Sequence, residues 1–327
     1  MLIDILIAVV QILVVFVAVL LIVAYMTLME RKVLGRMQAR FGPNRVGPFG
    51  MLQPIADGIK LMFKEDIVVP HANRLIYIFA PAVIVIAALM CFTVIPYGGS
   101  FTLLGRRINL VIADVNVGLL FILAISSLGV YGIVMGGWAS NNKYSLLGAI
   151  RSSAQMISYE LSLGLSLVGV LMITGSLSMV KIVETQSPLW FVVYQPLGFI
   201  IYMISAVAEC NRTPFDLAEC ENELVAGYQT EYSSMKFGLY YLAEYAHMLA
   251  VSSLAVTLFF GGWQGPILPP VVWFLIKVFC FIFFFIWIRA TFPRFRYDQL
   301  MKFGWKVLFP LALANIAVTA VAMTLME

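Results

Sequence analysis

The chain has 327 residues, of which 62% are hydrophobic and only 12% are charged, and its mean hydropathy is +0.95. Soluble domains contain about 45–50% apolar and about 25% charged residues, so this composition excludes a soluble globular protein and predicts a polytopic membrane protein. We attribute the net charge of +4 to basic residues in loops beside the membrane and not to nucleic-acid binding.

Eight apolar stretches are long enough to cross a hydrocarbon core of roughly 30 Å. They predict an all-α fold with about eight transmembrane helices in a single membrane domain, residues 1–327. The stretches are 5–28, 75–95, 115–135, 154–173, 189–208, 237–260, 271–288 and 307–326. The first lacks a preceding basic region and is longer than a signal-peptide core, so we expect it to be a retained span.

The loops between these stretches differ in basic charge. Loops 1 (29–74), 3 (136–153), 5 (209–236) and 7 (289–306) carry eight, two, two and five Lys or Arg residues, whereas the other loops carry three together. Because basic residues resist translocation, the odd-numbered loops are predicted to face the cytoplasm. Both termini are then periplasmic.

Loop 1 is the longest polar interruption of the chain. Its two glycine-proline turns, at 42–43 and 47–48, precede apolar residues at helical spacing, which predict an amphipathic helix over 51–64 in the membrane interface. A simple lipid anchor fits the same pattern, although Asp57 gains nothing from anionic headgroups. The basic residues of the loop fit two roles equally, as ordinary cytoplasmic charges or as a pocket that orients a polar ligand. They include Arg31, Lys32, Arg36, Arg40 and Arg45.

Loop 5 is acidic, with six carboxylates within residues 208–232. Carboxylates crowded at a membrane boundary repel one another and lose water, so their pKa values rise and become coupled, a condition that suits holding and passing protons. A solvated acidic face is the alternative. Within this loop, the stretch from Thr213 to Asp216 predicts a helix start, with Thr as the N-cap and Pro in the first turn.

Two further acids, Glu160 and Glu244, fall inside predicted spans. An acidic side chain in the membrane is costly, so such residues normally face the protein interior and mark an ion or proton path. A neutral Glu hydrogen-bonded to a neighbouring helix is the structural alternative. Tyr240 and His247 share the helical face of Glu244 and offer it hydrogen-bond partners.

Metal and nucleotide motifs are missing from the sequence. The four cysteines form no C-x-x-C pair, and His71 and His247 are far apart, so metal-ligand spacing is absent. Gly42 and Gly47 are followed by Pro48 where a phosphate-binding loop needs Lys. We therefore expect no nucleotide, iron–sulfur cluster or haem to be bound by this chain.

Three segments together resemble one family. They are ERKVLGRMQARFGPNRVGP at 30–48, AECNRTPFDLAECENELVAGYQTEY at 208–232 and RATFPRFRYDQLM at 289–301, with support from KYSLLGAIRSSAQMISYE at 143–160. The chain resembles the H subunits of bacterial NADH-quinone oxidoreductase, the counterparts of mitochondrial NADH dehydrogenase subunit 1 in respiratory complex I. The resemblance runs over the whole chain.

The resemblance implies a membrane-arm subunit that forms much of the quinone chamber and couples quinone reduction to proton translocation. Quinone is then a substrate, while FMN and iron–sulfur clusters belong to partner subunits. The implied partners are the quinone-proximal subunits of the hydrophilic arm, adjacent small membrane subunits and membrane lipid. The implied location is the bacterial inner membrane.

The resemblance also implies site residues, none of them catalytic or metal-binding. Those of the quinone chamber or its entrance are Arg36, Arg45, Asp57 and Arg294. Those of the proton path are Glu160, Glu209, Glu219, Glu221, Glu223 and Glu244.

Three alternatives stay open on the sequence alone. A stand-alone ion transporter would also place acids in its spans, but such folds often contain internal repeats and we find none here. A membrane-bound hydrogenase, or a dehydrogenase for another donor, would use a homologous subunit. A purely structural anchor would not need acids inside the membrane.

Overall fold

The computed structural model describes residues 2–103, 106–216 and 224–326. Within these ranges, seven helices are long and apolar enough to span a membrane. The prediction of an all-α polytopic membrane protein is thus confirmed, whereas the orientation of the termini stays a prediction.

The elements follow one another as helices with few interruptions. The helices are α1 Leu2–Met37, α2 Gln53–Phe63, α3 Arg74–Met90, α4 Gly118–Ala139, α5 Lys143–Thr174, α6 Met179–Thr185, α7 Phe191–Tyr194, α8 Pro196–Glu209, α9 Ser234–Phe259, α10 Pro270–Thr291, α11 Tyr297–Phe303 and α12 Phe309–Met326. Short 3₁₀ turns lie at Pro48–Gly50, Cys91–Thr93 and Gly227–Gln229, and a π-helical turn, Gly304–Leu308, leads into α12.

One small sheet accompanies the helices in the connection between α3 and α4. Strand β1, Ser100–Leu103, pairs antiparallel with β2, Arg106–Asn109, and Ser100 lies opposite Asn109. A two-stranded ribbon this short adds little stability by itself. The amide of Gln11 on α1 donates to the carbonyl of Asn109 at 3.0 Å and connects the two elements.

The bundle is built around α9. Of its central part 83% is buried, whereas only 6% of the corresponding part of α1 is buried. Helix α9 packs against α1, α3 and α10, while α3, α4, α5, α8 and α12 pack successively beside it. Close approach of α3 and α4 requires Gly132, because a Cβ there would lie 2.2 Å from the Ile84 side chain. Side chains of α9 therefore face protein, and this helix is the natural position for interior acids.

The fifth predicted span, 189–208, is broken in the structure. Gln195 interrupts it with φ −127° and ψ 54°, and the helix resumes at Pro196 for only 14 residues. The residue before a proline is pushed out of the helical region by the proline ring, which explains the position of the break. The Gln195 amide is satisfied across the bundle, since it accepts from Asn315 at 2.9 Å and donates to Thr319 at 2.8 Å.

Two predicted loop boundaries were wrong because helices continue past them. Helix α1 runs to Met37, so the polar connection begins there and not at residue 29. Charged Glu30 is tolerated on this helix because it is paired inside the bundle. Helix α5 starts at Lys143, where the Asn142 side chain caps it by accepting from the Tyr144 amide at 2.9 Å. Loop 3 is thereby reduced to residues 140–142.

The predicted helix start at Thr213 was also wrong. The stretch from Thr213 to Asp216 forms turns, and the Phe215 amide bonds back to the Arg212 carbonyl at 2.8 Å. The carbonyl of Pro214 accepts from the backbone of Phe295 at 3.2 Å. That long-range bond occupies the acceptor that the first helical turn would use.

Lys277 is a buried cation in the first half of α10. Its ammonium group donates to three carbonyls beyond the end of α9, those of Phe260 at 2.7 Å, Gly262 at 3.0 Å and Gln264 at 2.7 Å. The Trp190 ring lies 4.7 Å from the same nitrogen. Lysines near the C-terminal end of a helix neutralise its free carbonyls and its dipole. Lys277 does so from the neighbouring helix.

Candidate functional site

A buried cluster of two acids and two arginines joins α1, α9, α10 and the segment after α8. Arg212 Nη1 donates to both carboxylate oxygens of Glu30, at 3.2 and 3.3 Å, and Arg212 Nε lies 2.6 Å from Glu244 Oε1. Arg289 pairs with Glu30, and the Tyr245 hydroxyl donates to Glu30 at 2.7 Å. Charges removed from water are tolerated only when they are paired and hydrogen-bonded. Here two acids balance two guanidinium groups.

Arg212 reaches this cluster because the chain reverses after α8. Asn211 adopts a positive φ of 48°, and the Arg212 amide bonds back to the Val207 carbonyl at 3.3 Å. The guanidinium then lies 4.5 Å from the centre of the Tyr245 ring, a distance typical of cation–π contacts. The side chain is only 7% exposed, so its charge acts at short range on the acids of the cluster.

A second group of polar side chains lies deeper among the helices. His247 Nε2 on α9 is 3.3 Å from Glu209 Oε1 at the end of α8, although the two atoms are not aligned for a hydrogen bond. The Ser127 hydroxyl on α4 donates to Glu160 on α5. Glu160 is close enough for electrostatic interaction with both Glu209 and His247. The helices therefore bring two of the predicted path acids and one histidine into the same interior region.

A cavity of about 50 Å³ lies between the two groups. Its polar lining includes Glu209, Glu244, His247, Tyr228 and Tyr240. A water molecule needs a space of about 10–15 Å³ on this measure and two to four polar partners, so the cavity can hold water. Water there would connect the Glu244 ion pair with the Glu209–His247 pair.

Asp216 extends the cluster towards loop 5. Its carboxylate accepts from Arg294 at 3.0 Å. Burial raises the pKa of Asp216, and the positive charges of Arg294, Arg289 and Arg212 only partly oppose this effect. A cavity of about 30 Å³ beside Arg212, Asp216 and Glu244 is large enough for a water molecule. Asp216 is therefore protonated more readily than an exposed aspartate.

The interfacial helix α2 is attached to the end of α1. Arg31 Nη1 and Asp57 Oδ2 are 2.6 Å apart, and Gln53 donates to the other oxygen of Asp57 at 3.0 Å. Large apolar side chains on α2, such as Ile55 and Phe63, are exposed. The predicted amphipathic helix is confirmed, and its charged side faces α1 while its apolar side is open to a membrane or a partner.

A cavity of about 240 Å³ lies between the end of α1 and the turns that follow it. It is lined by Lys32, Arg36, Phe41, Gly42, Pro43, Asn44 and Phe49. The turns fold tightly onto the helix, since a Cβ on Gly42 would lie 2.9 Å from the Arg31 carbonyl oxygen. Two cations, an amide and two aromatic rings give this cavity the character of a site for a polar, planar group.

The structure brings some of the predicted residues together and separates others. Glu160, Glu209 and Glu244 lie in one interior region, and Arg36 and Asp57 lie at opposite sides of the end of α1. Arg45 is exposed and does not line the Arg36 cavity, and Arg294 points to Asp216. Three predicted path residues, Glu219, Glu221 and Glu223, lie outside the described residues.

Sequence reasoning missed Glu30, Arg212 and Arg289, which hold the ion cluster together. Each was interpreted as an ordinary loop charge. The available signal was position, because each borders an apolar helix of the bundle, where a charge readily turns inward. The acidic surroundings of Arg212 in the sequence gave a further indication of buried ion pairing.

The same residues occur in proteins of known name. A family profile described as NADH dehydrogenase matches residues 10–320. The first of the numbered H subunits of NADH-quinone oxidoreductase in Geobacter metallireducens is 56% identical over 97% of this chain and 96% of that protein. The second H subunit in Syntrophobacter fumaroxidans is 58% identical over 92% of this chain and 91% of that protein. The chain belongs to the family of NADH-quinone oxidoreductase H subunits.

This membership confirms the resemblance drawn from the three sequence segments. The chain is a subunit of NADH-quinone oxidoreductase, complex I, and other complex I subunits are its partners. With its apolar helices it is a multi-pass inner-membrane protein.

Proposed function

We propose that the chain forms much of the quinone chamber of a proton-pumping complex I and couples quinone reduction to proton translocation. The observation that carries this proposal is the run of buried ionisable side chains from Glu30 to Glu160 through the bundle. A subunit that only anchored its partners would have no use for several carboxylates inside the membrane.

On the chamber side, the proposal is supported by the cavity beside Arg36. A quinone ring is planar and carries two carbonyl oxygens, and guanidinium and ammonium groups are strong donors to such oxygens. The apolar face of α2 supplies a surface beside which an isoprenoid tail can leave the membrane. The pairing of Arg31 with Asp57 holds this helix at the entrance. Arg45 is exposed to the side that partner subunits would cover.

On the membrane side, the proposal is supported by the order of the ion pairs. Glu30 lies one residue from Arg31, Arg212 connects Glu30 with Glu244, and the 50 Å³ cavity connects Glu244 with Glu209 and His247. Glu219, Glu221 and Glu223 belong to the proposed path on sequence grounds alone. Arg294 acts in this scheme through Asp216.

The proposed mechanism is electrostatic. Reduction of a quinone to a quinol takes up two electrons from the redox arm and two protons, which changes the charge of the chamber. The carboxylates of the cluster then redistribute their protons, because closely spaced acids titrate as coupled groups. The altered field biases neighbouring pumping subunits. FMN and iron–sulfur clusters belong to the partner subunits in this proposal, and the chain itself binds quinone and lipid.

The test is Glu244→Gln in the assembled complex, reconstituted into vesicles. Gln keeps the shape of the side chain and removes its proton site and charge. We expect normal assembly, unchanged reduction of an artificial acceptor by the redox arm, and impaired quinone-coupled turnover and pumping, with pumping affected at least as strongly. Glu184→Gln, on the exposed side of α6, is the matched control. Wild-type turnover and pumping in Glu244→Gln would remove Glu244 from the path.

A further inference from the structure

We propose that His247 is a proton-relay residue that exchanges a proton with Glu209. This inference rests on the proposed function, and it adds a histidine to a path that the sequence assigned to acids alone. The residue belongs to neither the quinone cavity nor the Glu30–Arg212–Glu244 cluster.

The geometry of the pair carries the inference. The imidazole Nε2 and the carboxylate Oε1 are 3.3 Å apart, and the side chains of His247 and Glu209 are 15% and 6% exposed. Their present angle falls short of a hydrogen bond. Groups that transfer protons are often misaligned before the reacting state forms. A small rotation of the imidazole therefore completes the contact.

The surroundings of the pair suit a relay. Both residues line the 50 Å³ cavity, which has room for water and is also lined by Glu244 and Tyr240. On the other side of the pair, Glu160 interacts electrostatically with both Glu209 and His247. The imidazole thus stands between one acid at the end of α8 and further acids on α5 and α9.

The chemistry of imidazole explains why a histidine is useful here. In the proposed step the O–H bond of a protonated Glu209 breaks, an N–H bond forms at Nε2, and the products are a carboxylate and an imidazolium. The second ring nitrogen can then release a proton towards cavity water, and the neutral ring is restored. Imidazole is the side chain whose ordinary titration range includes neutral pH, so both directions of transfer are accessible.

Several titratable groups face this pair and contribute to its pH dependence. They come from every helix packed around it except α4, which presents Ser126 and Ser127 among its described polar residues. They are Cys91 on α3, Glu160 on α5, Tyr202 on α8, Glu209 and Cys210 at its end, Tyr228 in the 227–229 turn, and Tyr240 and Glu244 on α9. Variants must therefore separate the histidine from the acids.

The experiment compares His247→Gln with wild type in the assembled complex, in vesicles, from about pH 5.5 to 7.5, where protein histidines commonly titrate. Gln places an amide nitrogen near the position of Nε2 but cannot titrate. We expect normal assembly, proton pumping at least about tenfold slower, and loss of the part of the pH dependence due to imidazole. His71→Gln changes the other histidine, which is exposed in loop 1, and is the matched control.

Glu209→Gln and His247→Asn, measured in parallel, decide between the outcomes. If Glu209→Gln impairs pumping while both His247 variants keep the wild-type pH profile, the relay is refuted and the proposed function stands. If a His247 variant lowers the rate equally at every pH, its role is structural and the relay is again refuted. If Glu209→Gln and Glu244→Gln both pump normally, the proposed path itself fails. Asn offers a second shape should Gln disturb assembly.

Discussion

Replacing Arg212 with Met tests the ion cluster most directly. Arg212 contacts two acids, Glu30 and Glu244, and its side chain is 7% exposed. Met has similar length and fills most of the space of the aliphatic stem, so the main change is the loss of one buried positive charge.

The two acids are affected differently. Glu30 keeps Arg289 and the Tyr245 hydroxyl, whereas Glu244 has no second cation within contact distance among the described residues. Removing one partner of a buried ion pair costs about 3–5 kcal/mol, because the other charge is left uncompensated. We expect one such cost, for Glu244. Adding Glu244→Gln removes the stranded charge as well, so the double variant should recover to within about 1 kcal/mol of wild type.

The assay measures assembled complex on native gels and the temperature at which quinone-coupled activity is half lost. Arg212→Met should assemble poorly and inactivate at a lower temperature, and the double variant should recover both properties. Pumping should stay impaired in the double variant, since Glu244 is absent. Arg40→Met is the matched control, because Arg40 is exposed and bonds only to nearby Gln38 among the described residues.

The reasoning would be refuted in either of two ways. Arg212→Met could be as stable as Arg40→Met, in which case the buried charge pair contributes nothing. Alternatively, the double variant could be no more stable than the single one, in which case a stranded carboxylate is not the cause of the damage.

Three further predictions address the entrance, loop 5 and cofactors. Asp57→Asn breaks a half-exposed pair with Arg31 that contributes at most about 1 kcal/mol, so it should change quinone kinetics and leave artificial-acceptor reduction intact; equal loss of both activities would contradict this. Arg294→Gln removes a charge that lowers the pKa of Asp216. A raised folded-state pKa gives stability that is present at low pH and lost as pH rises, so this variant should lose more thermal stability at pH 8 than at pH 5.5, and a pH-independent difference would argue against it. The purified subunit alone should show no visible absorbance and no NADH oxidation; bound flavin or stoichiometric iron would overturn that expectation.

The fold was predictable because membrane spans depend on local composition. Apolar stretches identified the long helices, and helical spacing after Pro48 identified α2. The break at Gln195 carried a local signal as well, since Pro196 follows it. The prediction treated the whole apolar run as one helix because hydropathy alone does not register a backbone break.

The interior acids were predictable for the same reason, but their partners were not. A carboxylate inside an apolar run has to face protein, so Glu160 and Glu244 could be assigned from sequence. Glu244 was expected to depend on Tyr240 and His247, neighbours on its own helix. Its observed partner is Arg212, which arrives from another part of the chain, and His247 instead pairs with Glu209. Such pairings depend on how distant segments meet and not on periodicity.

The carbonyl contacts of Lys277 have a consequence for how the chain enters the membrane. A lysine inside an inserting helix costs up to about 2.5–3.5 kcal/mol on translocon scales. The three carbonyls that accept from Lys277 precede it by only 13 to 17 residues, so they emerge from the ribosome immediately before it. Helix α10 therefore finds its counter-groups on the segment that has just been delivered. Insertion of α9 and α10 as a hairpin, with the lysine neutralised on arrival, follows from this order of synthesis.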